Sequence, residues 1–203
     1  MSRPAAGSGA GRRRRGAADA GAGRTPRGPR RRLLLLRHAK AERDPERDDH
    51  ERPLARRGHE DAARIGEALA ELGPAPERVL CSSSRRTRET LQEILPHLPR
   101  ALDVVIDREL YLADPERMLA RIAAVDDGVR TLLVVGHNPG IAELAELLAG
   151  EGDAGSLARL REKFPTGALA ELRAPAPRWR DLAPRGSMLT AFLTPRGLAG
   201  RDG

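Results

Sequence analysis

Four aromatic residues in 203, one tryptophan, one tyrosine and two phenylalanines, leave this chain without the stacking platforms on which single-stranded nucleic acids are bound. A single cysteine, Cys81, rules out an intramolecular disulfide, and with no signal-type apolar segment it points to a reducing, cytoplasmic setting. No apolar run approaches the roughly 20 residues a membrane span needs, so no membrane partner is expected. Repeats with a period of roughly 20 to 50 residues are also missing, which sets aside solenoids and propellers.

The formal charge of +7 resembles that of a nucleic-acid binder until it is divided along the chain. Residues 1–32 hold ten arginines and one aspartate, a net +9, leaving −2 for residues 33–203. Rich in Gly, Ala and Pro, the first segment cannot offset the entropy of ordering. It reads as a disordered Arg-rich tail, a solvated extension or an early start site in preference to an electrostatic arm. Nucleic acid is expected as a partner only through that tail. Residues 33–203 read as one domain, long enough to bury a core without disulfides or metal.

What is present is an arrangement used twice. Arg37-His38 ends the apolar run Leu33-Leu34-Leu35-Leu36, and His137 ends the run Leu132-Leu133-Val134-Val135-Gly136. Short apolar runs of this kind read as buried parallel strands, whose ends line the ligand crevice of open α/β sheets. Both histidines are therefore expected in one pocket. A third segment, Val79-Leu80-Cys81-Ser82-Ser83-Ser84-Arg85-Arg86-Thr87, runs from a strand through serines into a helix that opens with arginines. Two imidazoles, arginine forks and a helix N-terminus suit a compact, multiply charged anion such as phosphate.

Strands are expected at 31–37, 78–81, 102–106, 131–135, 166–172 and 188–193. Helices are expected at 59–72, 84–95, 115–124, 139–148 and 157–163, the first from the spacing of Ala62, Ile65, Leu69 and Leu72. Segments 39–56, 150–155 and 175–186 read as loops. Alternating strands and helices imply right-handed crossovers, hence a three-layer α/β/α sandwich with a mainly parallel central sheet.

The segments LLLLRHAKAE, RPLARRGHEDA, VLCSSSRRTRET, LYLADPERML, LLVVGHNPGIAELAELL and FPTGALAEL, in this order, resemble the histidine phosphatase superfamily, whose fold is phosphoglycerate mutase-like. Within it they are similar to the small SixA-like phosphohistidine phosphatases, over about residues 33–195. The resemblance implies that His38 is the nucleophile and that Arg37, Arg86 and His137 cradle the phosphoryl oxygens. Arg86 is preferred to Arg85 because the family pattern places its arginine four residues before the threonine, here Thr90. His38 must stay neutral among cations, with its other nitrogen donating to a backbone carbonyl. Ser82 and Ser83 read equally as phosphate donors or as helix caps, and Asn138 as orienting the loop after His137.

Many members of that superfamily protonate an alcohol leaving group with a glutamate from an inserted segment that this chain lacks. Glu109 is the candidate acid nearest the corresponding place, and it reads as a rim residue. The imidazole released from a phosphohistidine is far less basic than an alkoxide, so the expected substrate is a phosphorylated protein of the histidine phosphotransfer type. A small phosphorylated metabolite is the alternative. No cofactor and no metal are expected: Asp44, Asp48, Asp49 and His50 read as a solvated polar loop without ligand-fixing spacing. His50, His59 and His97 carry no mark of a ligand.

Overall fold

The leucines of the first strand feed two cores at once. In the computed structural model, which describes residues 31–200, β1 (Arg31–Arg37) sends Leu33 and Leu35 into one apolar cluster and Leu34 and Leu36 into another. Successive strand side chains point to opposite faces of a sheet. Each fully buried leucine contributes about 2 kcal/mol.

The chain continues through α1 (Arg56–Glu71), β2 (Arg78–Ser82), α2 (Arg85–Ile94), β3 (Asp103–Asp107), α3 (Pro115–Ala123) and β4 (Thr131–Gly136). It ends through α4 (Gly140–Leu148), β5 (Ala149–Gly152), α5 (Ala154–Glu162), β6 (Leu169–Ala174), β7 (Ser187–Leu193) and α6 (Pro195–Ala199). All seven strands form one sheet in the order β3-β2-β4-β1-β6-β7-β5. Strands β1 to β4 pair in parallel, β6 runs antiparallel to β1 and β7, and β5 pairs in parallel with β7. Ile65 and Leu69 of α1 and Leu91 and Ile94 of α2 cover one face; Met118, Ile122, Ile141, Leu144 and Leu160 of α3, α4 and α5 cover the other. The three-layer, mainly parallel sandwich is thus the fold.

Helix α3 starts where its sequence says it should, with the Asp114 side chain accepting from the Arg117 N–H and Pro115 in the first turn. Helix α1 begins at Arg56, earlier than its apolar stripe indicates, because Gly58 lets it pack directly on the loop after β1. A Cβ there would lie 2.1 Å from the Lys40 carbonyl oxygen.

Four expectations need correction. The tail drawn through residue 32 overlaps the strand expected from Arg31, and the strand is what forms: Arg31 and Arg32 belong to β1 and are buried, so the folded domain reaches back past residue 33. Burial is tolerated because both guanidiniums are paired: Arg31 donates to the Asp127 and Pro177 carbonyls and lies over Trp179, and Arg32 donates to Glu171 at 2.8 Å. The remaining tail, residues 1–30, lies outside the described residues. Residues 149–152 form an edge strand rather than a loop, and α6 follows the last strand. The strand expected from Thr166 starts at Leu169, because Pro165–Ala168 is a turn with Gly167 at φ +73°.

Candidate active site

Parallel neighbours put their chain ends together. Arg37 pairs with Gly136 across β1 and β4, and Cys81 pairs with Val135 across β2 and β4, so His38, His137 and Ser82 emerge along one edge of the sheet. The two imidazole rings lie 5.2 Å apart, and His137 Nε2 is 2.8 Å from the Ser82 hydroxyl.

The orientation of His38 is fixed from two sides. Its Nδ1 lies 2.8 Å from the Ala39 carbonyl oxygen, which can only accept, so Nδ1 carries the hydrogen and Nε2 is left bare. The Ala39 N–H donates to the Thr90 hydroxyl, which donates to the Arg86 carbonyl, fastening the loop after β1 to α2. Beneath it, the Gly167 N–H donates to the carbonyls of Arg37 and His38. The Phe164 carbonyl accepts from Arg37 at 2.8 Å and from Asn138 Nδ2 at 3.0 Å.

A lid segment closes the other side. Residues Asp49–Glu51 form one 3-10 turn. Arg86, buried, donates to the Asp49 carbonyl and, at 2.9 Å, to its carboxylate, which also accepts from Tyr111 at 2.7 Å and Arg52 at 2.8 Å. The Tyr111 ring stands edge-on to His137 and to His50, with centroids 5.5 and 4.8 Å apart. His50 in turn lies 2.9 Å from the Ser83 hydroxyl through Nε2 and 2.8 Å from Glu51 through Nδ1.

Burial, with the charges of Arg86, Arg37 and Arg52 adding to it, lowers the His38 pKa to about 3. Burial and the neighbouring His38 and Arg86 lower His137 to about 3 as well. Both rings are neutral at physiological pH. Partial burial resists ionisation of Asp49, but the hydrogen bonds from Tyr111, Arg86 and Arg52 outweigh it and bring the carboxyl down to about 2. Among the described residues, four buried side-chain polar atoms have no partner, and three are here: Arg37 Nε, His137 Nδ1 and Asn138 Oδ1. Such atoms are costly, and their concentration at one edge marks a place kept for function over stability.

The family model of the histidine phosphatase superfamily (branch 1) matches residues 33–111. A protein of Mycobacterium tuberculosis, itself uncharacterized, is 40% identical over 163 residues, 79% of this chain and all of the relative. The solved structure of a Nakamurella multipartitia protein, proposed by its name to be a phosphohistidine phosphatase, SixA, superposes with a TM-score of 0.72 at 33% identity, covering 82% of this chain and 96% of that one. One from Agrobacterium tumefaciens, named likewise, has a TM-score of 0.68 at 32% identity, over 81% and 97%. This chain belongs to the histidine phosphatase superfamily and is SixA-like.

In this histidine phosphatase the structure brings together His38, Arg37, Arg86, His137, Ser82 and Asn138, all named from sequence. Two readings change. Neither Ser82 nor Ser83 caps α2; Ser84 does, accepting from the Thr87 N–H, which frees Ser82 for His137 and Ser83 for His50. The loop holding Asp49 and His50 is not simply solvated, since both reach the site. The Asp48 carboxylate accepts the His50 N–H, an Asx turn that gives this stretch local order. Tyr111, the only tyrosine, was overlooked altogether. Glu109 turns outward and pairs with Arg117, both more than half exposed. Among the described residues no three carboxylate, imidazole or thiol groups gather as metal ligands, and no helix is long and apolar enough to cross a membrane.

Proposed function

We propose that this protein is a phosphatase that needs no metal, passes the phosphoryl group through His38, and takes it from phosphohistidine in a protein. The observation that carries the reading is the His38 Nδ1 bond to the Ala39 carbonyl, which leaves a neutral imidazole with Nε2 bare. Nε2 attacks phosphorus in line; its P–N bond forms as the bond to the substrate imidazole breaks, and the leaving nitrogen keeps the electron pair and takes a proton from water. A water molecule then attacks phosphorus, breaks the bond to His38 and releases phosphate. Arg37 and Arg86 balance the charge on the equatorial oxygens, and His137, held by Ser82, donates to one of them in the transition state. Asn138 positions the loop that carries His137.

The substrate class follows from the acids at hand. Asp49 is held ionised and Glu109 is paired away from the site, so neither protonates a leaving group. A leaving imidazole needs that help far less than an alkoxide does. The names given to the Nakamurella and Agrobacterium structures point the same way. The cytoplasm is the proposed location, on the ground of the single cysteine, a buried thiol whose pKa burial pushes up to about 12.

One observation favours the small-ester alternative. The His50 ring, backed by Glu51 and bonded to Ser83, is an imidazole on the lid that could supply an alkoxide with its proton. Hydrolysis of a histidine-phosphorylated phosphocarrier protein, para-nitrophenyl phosphate and 3-phosphoglycerate, with EDTA present, separates the two for wild type and His38→Ala. Turnover of the phosphoprotein alone, lost in the variant, supports the proposal. Turnover of the esters alone establishes the alternative, and activity abolished by EDTA refutes the metal-free reaction.

A further inference from the structure

Beside the phosphoryl site runs a groove of about 380 Å³ whose walls include Lys40, Arg57, Lys163 and Arg196, with Thr166 between them and Asp61 as the one carboxylate in its lining. It begins where the site ends. Lys40 stands two residues after His38. Lys163 precedes Phe164, whose carbonyl holds Arg37 and Asn138. Thr166 precedes Gly167, whose N–H holds the carbonyls of Arg37 and His38.

The charge here runs against the rest of the domain. Residues 31–203 are net neutral, yet four cations face one carboxylate in this groove. That carboxylate, Asp61, is already shared by Arg57 at 3.5 Å and Arg64 at 3.7 Å. Lys40, Lys163 and Arg196 make no ion pair among the described residues and are exposed. Unpaired cations gathered on one rim repel one another and add nothing to the fold; their use is to attract an anionic partner.

How the cations are held indicates what kind of anion they meet. The phosphoryl site uses a buried guanidinium fixed by several hydrogen bonds, the geometry for one compact group. The groove uses exposed, unfixed lysine and arginine side chains, which suit several dispersed charges that arrive on a surface. We propose that this groove receives the carboxylate side chains that flank the phosphohistidine on the substrate protein, and so selects an acidic phosphoprotein. The proposal rests on the phosphohistidine reading above.

The test is the full-length double variant Lys163→Gln/Arg196→Gln, with Arg100→Glu, on the loop leading into β3 at the opposite end of the sheet, as a control that lowers net charge by the same two units. KM for a phosphoprotein with carboxylates flanking its phosphohistidine is expected to rise about tenfold or more in the double variant, with kcat and the hydrolysis of para-nitrophenyl phosphate within about twofold of wild type. The salt dependence of the phosphoprotein reaction should flatten as well. An unchanged KM, an equal loss on para-nitrophenyl phosphate, or an equal loss in Arg100→Glu each overturns the proposal. Fluorescence anisotropy of a labelled hexaglutamate peptide decides the groove independently of turnover, since residues 1–30 contribute equally to every variant. Weaker binding by the double variant than by Arg100→Glu supports the groove, and equal binding overturns it. Wild type that binds the peptide through the groove but leaves the phosphoprotein intact refutes the phosphohistidine reading alone.

Discussion

Acid tests the burial of the two imidazoles directly. His38 and His137 are held neutral, chiefly by burial, their pKa lowered from 6.5 to about 3. In the unfolded chain each returns to its ordinary value. Below about pH 6.5 the unfolded state therefore binds a proton that the folded state refuses, and stability declines progressively as pH drops toward 3. At pH 5 each histidine costs about 2 kcal/mol relative to pH 7.5, and the two together about 4 kcal/mol. That is a large share of the roughly 5–15 kcal/mol that holds a domain folded.

Urea unfolding at pH 7.5 and 5.0, for wild type, His38→Asn and His137→Asn, reads the effect. Asparagine at 38 keeps a donor for the Ala39 carbonyl while removing the titrating group. Carboxylates at or below their ordinary pKa stay largely ionised over this interval, so the histidines dominate the change. Each variant is expected to lose about 2 kcal/mol less than wild type on acidification. Variants that lose as much as wild type would refute the account, because the imidazoles would then already be protonated, or solvated, in the folded state.

Ser82→Ala leaves the buried His137 Nε2 without its partner and is expected to lower kcat/KM about tenfold and to destabilise by about 1–3 kcal/mol in urea unfolding at pH 7.5; a change in kcat/KM under twofold would show that the ring is held otherwise. Glu109→Gln breaks only an exposed ion pair with Arg117, so hydrolysis of phosphoprotein and ester alike should stay within about twofold of wild type. A larger loss on esters alone would restore Glu109 as an acid. Gly140→Ala places a Cβ 1.9 Å from the Ala113 carbonyl oxygen, and should destabilise by about 2–3 kcal/mol in urea unfolding, since backbone has to move.

The parts of this molecule that could be read from its sequence are those set by local pattern. Apolar runs ending in Arg37-His38 and Gly136-His137 locate parallel strand ends, and parallel pairing alone then brings the histidines to one edge. The Asp114-Pro115 start of α3 is equally local. What escaped depends on contacts between distant residues. Ala149–Gly152 has no strand pattern and becomes one by pairing with β7. Arg31 and Arg32 fall in an expected strand, but nothing local marks their guanidiniums for burial until Asp127, Pro177 and Glu171 are there to receive them. The lid contacts join residues as far apart in the chain as Asp49 and Tyr111, and a run of charged residues gives no indication of such a partner.

That lid sets the charge of the site. Arg37, Arg86 and Arg52 supply three positive charges, and Asp49, ionised and bonded to two of the three arginines, supplies one negative. The imidazoles add none while they stay neutral. The balance of these four groups is +2 where without Asp49 it would be +3, and Glu51, bonded to His50, places a further carboxylate on the same turn. Asp49 also occupies the Arg86 fork with a weaker ligand than phosphate, since a carboxylate carries half its charge and fewer oxygens. A loop that composition assigns to solvent therefore tempers the positive charge beside His38, and it is tied to the site a second time through the Ser83–His50 contact.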